Sequence, residues 1–145
     1  VMPIPIIDLF AGCGGLSLGL IDAGWQGVLA VEKNPDAFKT LEKNLISNND
    51  KIGFDWPKNI PVAPISIEDL IEKQIDSLKK LKGKIDLVAG GPPCQGFSMA
   101  GKRNVDDARN LMFYKYLEVV DIVKPKFVLL ENVKGFLVGK VFDLF

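Results

Sequence analysis

A doubly wound, mostly parallel α/β sheet is the fold class this sequence predicts, on three observations. Short apolar runs rich in Ile, Val and Leu alternate with amphipathic stretches at helical spacing, and a glycine turn joins the first run to the first such stretch. Phe10, Glu32, Cys94 and Glu131 each fall at the carboxyl end of an apolar run, the edge at which sheets of this kind bind ligands. Hydrophobic residues make up 48% of the 145 positions, enough for one core. No apolar run is long enough to cross a membrane, and neither a repeat nor a low-complexity linker divides residues 1–145.

Taken in order, residues 6–10 read as a short buried strand, 11–15 as a tight turn and 16–24 as a helix. Residues 27–32 form the next strand. A second helix covers 34–44, with Asn34 as N-cap, Pro35 in the first turn and apolar Ala37, Phe38 and Leu41 on one face. The polar run Asn48-Asn49-Asp50-Lys51 ends that pattern, and the prolines of 54–64 predict an irregular loop. Residues 62–67 are expected to give a short third strand. A helix over 68–82 begins acidic and ends in lysines, the charge order that suits the helix dipole, and its lysines read as a solvated face. Residues 85–89 form a strand, 107–124 an amphipathic helix stopped by Lys124-Pro125, and 126–131 a buried strand.

The segment Gly90-Gly91-Pro92-Pro93-Cys94-Gln95-Gly96-Phe97-Ser98 presents a cysteine at the end of an apolar strand. Its glycines permit close approach of backbone or ligand, and its prolines fix φ and forbid a helix before the thiol. A lone cysteine is ordinarily core packing; the residues on either side of this one point to a nucleophile instead. The chain contains no histidine, so a Cys-His dyad cannot be built from it. With Cys13 as the only other cysteine, neither a CxxC redox pair nor a four-ligand zinc site can be assembled, and no metal is expected. Two cysteines and no secretion signal point to a reducing, cytoplasmic setting, or the nucleus in a eukaryote.

Ala11-Gly12-Cys13-Gly14-Gly15, between strand and helix, is a nucleotide-cofactor signature, because glycines let backbone N–H groups approach a ligand at a helix start. Glu32 follows about 20 residues after the first glycine, the spacing at which an acidic side chain takes ribose hydroxyls. An ordinary αβ turn with a surface Glu is the bland alternative.

Together these segments resemble the cytosine-C5 DNA methyltransferases. Asp8-Leu9-Phe10-Ala11-Gly12-Cys13-Gly14-Gly15 looks like that family's first motif, Pro92-Pro93-Cys94-Gln95-Gly96-Phe97-Ser98 like its catalytic motif, and Glu131-Asn132-Val133 like its Glu-Asn-Val motif. Asp107-Ala108-Arg109-Asn110 is similar to the stretch between the last two. The resemblance implies a Rossmann-like sheet of the S-adenosylmethionine-dependent methyltransferase type, here incomplete at the C-terminal side, and an enzyme of the kind found in restriction-modification systems. S-adenosylmethionine, leaving as S-adenosylhomocysteine, would be held by Phe10, Ala11, Gly12, Cys13, Gly14, Gly15, Glu32 and Met112. Phe10 and Met112 have an alternative reading as core residues. Double-stranded DNA would be the substrate partner. Cys94 would add to C6 of a flipped-out cytosine while protonated Glu131 hydrogen-bonds N3, and Pro93, Gln95, Phe97, Ser98 and Asn132 would line the base pocket. Arg103, in the basic loop Gly101-Lys102-Arg103-Asn104, would contact phosphate.

The sequence departs from the family pattern in two places. Ser66 stands where an acidic residue often reads the adenine amino group, leaving Glu68 or a backbone carbonyl for that role. The family's target-recognition region and later motifs have no counterpart before Phe145. A non-catalytic fragment, or one subunit that relies on a second polypeptide for target recognition, is therefore the main rival reading. A nicotinamide-dependent oxidoreductase would explain the glycine turn but neither of the later motifs. Basic and acidic residues balance at 18 each, so DNA attraction must be local or supplied elsewhere.

Overall fold

The computed structural model describes residues 3–47, 53–93 and 111–131. Four parallel strands, β1 (Ile4–Leu9), β2 (Trp25–Val31), β3 (Leu87–Gly90) and β4 (Phe127–Leu130), form a sheet in the order β2-β1-β3-β4. The helices are α1 (Gly15–Asp22), α2 (Pro35–Leu41), α3 (Ile67–Lys73), α4 (Ile75–Lys80) and α5 (Leu111–Val123). From β1 the chain steps to β2 on one side and then returns past β1 to β3. The order therefore reverses between β1 and β3, the place where open α/β sheets open a ligand crevice.

Alternation along β1 explains why the sheet is covered on both sides. Ile7 and Leu9 join Val88, Leu29 and Val31 in a core closed by Ile67 and Leu70 of α3, Leu78 of α4, and Tyr116, Val119 and Val123 of α5. Ile6 points to the opposite face, where it meets Leu87 and Ala89 under Leu16 and Leu20 of α1. Ala30 on that side packs with Phe38 and Leu41 of α2. The Tyr116 hydroxyl donates to Val88 O at 3.0 Å and lies 3.3 Å from Leu129 O, tying α5 across β3 and β4.

The Asn34 cap forms as the sequence predicts, with Oδ1 accepting from the N–H groups of Asp36 and Ala37 at 2.9 and 3.0 Å. Beyond Leu41 the helix widens into a π-helical turn over Glu42–Ile46, closed by Ser47 N donating to Glu42 O at 2.8 Å.

Three expectations are corrected. The strand expected to be buried over 126–131 forms as β4 but is exposed at Phe127, Val128 and Leu129, because it is the outermost described strand and pairs with β3 alone. Residues 62–67 form no strand; one ladder-like bond, Ile65 N to Glu32 O at 2.9 Å, follows the end of β2. Pro61 and Pro64 have no N–H to donate, so a regular ladder cannot run through this stretch. The helix expected over 68–82 is two helices that meet at Gln74, whose φ of −123° and ψ of 21° lie outside the helical region. A chain of two polar contacts spans the break: Asn59 Nδ2 donates to Ser77 Oγ at 2.6 Å, and Ser77 Oγ donates to Gln74 Oε1 at 3.3 Å. Glutamine is a good helix former, so nothing local in the sequence marks this position.

Candidate functional site

Parallel register brings the strand ends to one rim. Leu9 pairs with Val31 on one side and Gly90 on the other, and Gly90 pairs with Leu130. Phe10, Glu32, Gly91 and Glu131, each the next residue in its chain segment, therefore emerge side by side. Backbone bonds continue the sheet into the rim, with Ala11 N donating to Val31 O and Glu131 N to Gly90 O, both at 2.9 Å.

The turn after β1 is built from left-handed backbone. Phe10, Gly12 and Gly14 have φ of 61°, 57° and 91°. A Cβ on Gly14 would lie 2.6 Å from Leu41 Cδ1 and 3.0 Å from Leu45 Cδ1, so α2 and the π-helical turn form the floor of the loop. Above Gly12 and Gly15 a Cβ would meet no atom within 4 Å, leaving open space over the loop. The half-buried Glu32 carboxylate accepts from Gly12 N at 2.9 Å through Oε2 and from Asn34 N at 2.7 Å through Oε1. Each carboxylate oxygen has a second lone pair for a ligand hydroxyl.

Beneath the loop, Ser17 Oγ donates to Asp8 Oδ2 at 2.5 Å, tying α1 to β1. Both side chains are buried. Burial pushes the Asp8 carboxyl up to about 6, against the opposing effect of its Ser17 hydrogen bonds, and the nearby Glu32 charge raises it further. Burial, with a smaller contribution from Asp8, also drives the Tyr116 phenol well above its usual range.

Beside Glu32 lies a largely apolar cavity of about 150 Å³, walled by Phe10, Val31, Ile65, Ile67, Pro93 and Met112. Glu32, Lys33, Ser66 and Glu68 line its remainder. Ser66 is the N-cap of α3: its Oγ accepts from Asp69 N at 3.1 Å and lies 3.2 Å from Asp69 Oδ2. Its hydroxyl is thus engaged with its own helix, whereas Glu68 lines the cavity as well.

The C-5 cytosine-specific DNA methylase family matches residues 4–141. The chain belongs to that family. It is 41% identical over 138 residues to the type II methyltransferase M.XorII of Xanthomonas oryzae pv. oryzae, covering 92% of this chain and 29% of that protein. With the type II methyltransferase M.DdeI of Desulfomicrobium norvegicum it shares 39% identity over 132 residues, covering 91% of this chain and 28% of the relative. This C-5 cytosine-specific DNA methylase chain thus spans less than a third of the length of these two curated relatives. Among solved structures, one described as a DNA modification methyltransferase encoded within a prophage of E. coli is similar at a TM-score of 0.68 and 32% identity, over 96% of this chain and 34% of that one. The S. pombe Dnmt2 methyltransferase shares the fold at a TM-score of 0.62 and 23% identity.

Of the site residues expected from the sequence, the structure brings Phe10, Glu32, Pro93 and Met112 to one cavity and seats Glu131 on the same rim. Phe10 and Met112 also pack against the main core, so the packing and pocket readings of these residues hold together. Ala11 is buried, whereas Cys13, a free thiol, and Gly15 face outward. Cys94, Gln95, Phe97, Ser98, Arg103 and Asn132 lie outside the described residues. Sequence reasoning passed over Val31, Lys33, Ile65 and Ile67 in the cavity wall and assigned no role to the Asp8–Ser17 pair. A buried Ser on the face of α1 that meets the sheet carries no distinguishing pattern, since a small residue there reads as packing.

Proposed function

We propose that this chain supplies the cofactor-binding and catalytic part of an enzyme that transfers a methyl group from S-adenosylmethionine to C5 of cytosine in DNA. The observation that carries the reading is the shared rim, where the glycine loop, Glu32 and the apolar cavity lie alongside Glu131 and the strand that leads into Cys94. The residues fit the cofactor: space is open over Gly12 and Gly15, Glu32 keeps lone pairs for ribose hydroxyls, and Phe10 and Met112 offer apolar walls. When bound, S-adenosylmethionine supplies an electrophilic methyl group.

Unassisted C5 of cytosine is too weak a nucleophile to take that group. The Cys94 thiolate adds to C6, and Glu131, protonated, donates to N3 and neutralises the ring, so that electron density gathers at C5. Once C5 carries its methyl group, water takes the C5 proton, the C6–S bond breaks to restore the thiolate, and the N3 proton returns to Glu131. A base stacked in a duplex shields C6, so the cytosine must leave the helix, at a cost of a few kcal/mol. Pro93, Gln95, Phe97, Ser98 and Asn132 are proposed to line its pocket and Arg103 to meet phosphate. Target choice is assigned to a region of the kind the longer relatives have room for, in the same polypeptide or a second one.

Two measurements test the reading. Calorimetric titration with S-adenosylhomocysteine is expected to show saturable one-to-one binding that weakens in Glu32→Ala. Methylation of DNA by the full-length protein is expected to vanish in Cys94→Ala and Cys94→Ser, and turnover retained in either variant would overturn the assignment of the nucleophile.

A further inference from the structure

The adjacent glycines that end β3 differ in what surrounds them. A Cβ on Gly90 would sit 2.2 Å from Leu9 O and 3.0 Å from Leu9 C, both backbone atoms of the neighbouring strand. On Gly91 it would sit 2.8 Å from Glu131 Oε2, with Glu131 O at 3.4 Å and Glu131 Cβ at 3.8 Å. Gly90 is thus required by the sheet itself. The three described atoms nearest a Cβ on Gly91 all belong to Glu131, the residue after β4, and the one within 3.0 Å is the tip of its side chain. We infer that Gly91 is a positioning residue whose bare Cα makes the seat for the Glu131 carboxylate.

Among the described residues the Glu131 carboxylate forms no side-chain hydrogen bond or ion pair. Glu131 is exposed and follows the outermost described strand, whose Phe127, Val128 and Leu129 are exposed as well. Its backbone is fixed, since Glu131 N donates to Gly90 O at 2.9 Å. Three side-chain torsions separate that anchor from the carboxylate, and the flat floor of Gly91 lets the headgroup lie against β3. A methyl there removes this position while the backbone stays where it is, because a terminal carboxylate can swing aside and a β-strand cannot. The inference rests on the reading of Glu131 as the group that binds the cytosine ring, since the acid must hold a fixed position to meet N3.

The experiment compares wild type, Gly91→Ala and Glu131→Gln in the full-length protein. Thermal unfolding, S-adenosylhomocysteine affinity, and kcat and KM for DNA methylation are measured, together with the ¹³C resonance of the Glu131 carboxyl. Gly91→Ala is expected to keep the unfolding midpoint and the cofactor affinity of wild type, to shift the carboxyl resonance, and to lower kcat about tenfold or more with little change in KM. A merely structural glycine would lower the midpoint and leave kcat of the folded fraction intact, which overturns the inference. It is equally overturned by a Gly91→Ala kcat within twofold of wild type when Glu131→Gln is strongly impaired. Should Glu131→Gln itself retain full kcat, the catalytic reading of Glu131 fails, and the carboxyl resonance alone decides the positioning: a shift in Gly91→Ala upholds it and an unmoved signal overturns it.

Discussion

Gly12 N donates to Glu32 Oε2 at 2.9 Å, bridging 20 residues of sequence to join the glycine loop to the end of β2. With Asn34 N on Oε1, the carboxylate is held through both oxygens and its remaining lone pairs have fixed directions. Glu32→Gln keeps the shape but turns an NH₂ group toward one of these two donors. Its affinity for S-adenosylhomocysteine is expected to fall about tenfold or more, with a larger loss in Glu32→Ala. Equal affinities by calorimetry in all three proteins would remove Glu32 from the cofactor site.

Asp8 gives the fold a pH dependence of definite sign. Its carboxyl is pushed up from the ordinary aspartate range to about 6, chiefly by burial, so the folded chain holds this proton more tightly than the unfolded one. The stabilisation is complete below the unfolded value and is lost as pH rises through the folded one. Between about pH 4 and pH 6 this group alone should withdraw on the order of 3 kcal/mol. Urea unfolding of Asp8→Asn across that window should lack the decline seen in wild type, and parallel curves would refute the assignment.

Ser17→Ala removes the side-chain donor to that buried carboxyl. A loss of about 1–3 kcal/mol is expected at neutral pH, where Asp8 is ionised, and less at pH 4, where the acid is protonated. Denaturant titrations at the two pH values give the comparison; a loss that does not depend on pH would mean that Ser17 acts by packing alone.

Gly90→Ala should fail where Gly91→Ala folds. Its methyl would meet Leu9 O, and relief requires β1 and β3 to part in the middle of the sheet. The expected loss exceeds about 4 kcal/mol, within the range that abolishes a marginal fold. Circular dichroism should show no cooperative melt, and a melt like that of wild type would contradict the close approach.

Met112→Trp should block the cavity without undoing the fold. Met112 is half-buried where α5 begins and walls the 150 Å³ space, so an indole can occupy that volume at a cost of about 1–3 kcal/mol. S-adenosylhomocysteine binding by calorimetry is expected to disappear, and unchanged affinity would place the ligand elsewhere.

The strand-turn-helix opening, the Asn34 cap, the parallel sheet and the meeting of Phe10, Glu32 and Glu131 at its rim were legible in the sequence. These follow from local rules: hydrophobic periodicity, the conformational needs of glycine and proline, and the tendency of parallel strands to end together. The sequence also named Phe10, Glu32, Pro93 and Met112, which the fold brings to one cavity. The helix break at Gln74 and the different neighbours of Gly90 and Gly91 emerge only in the folded chain, whereas the absence of a strand at 62–67 traces to Pro61 and Pro64, whose effect on a ladder outweighs the apolar pattern. The helix break and the two glycine environments depend on atoms distant in sequence, such as the amide of Asn59, the carbonyl of Leu9 and the carboxylate of Glu131. A local pattern constrains the torsions of its own residues, whereas the space left for a methyl group or the partner of a buried acid is set by chain segments that meet only after folding.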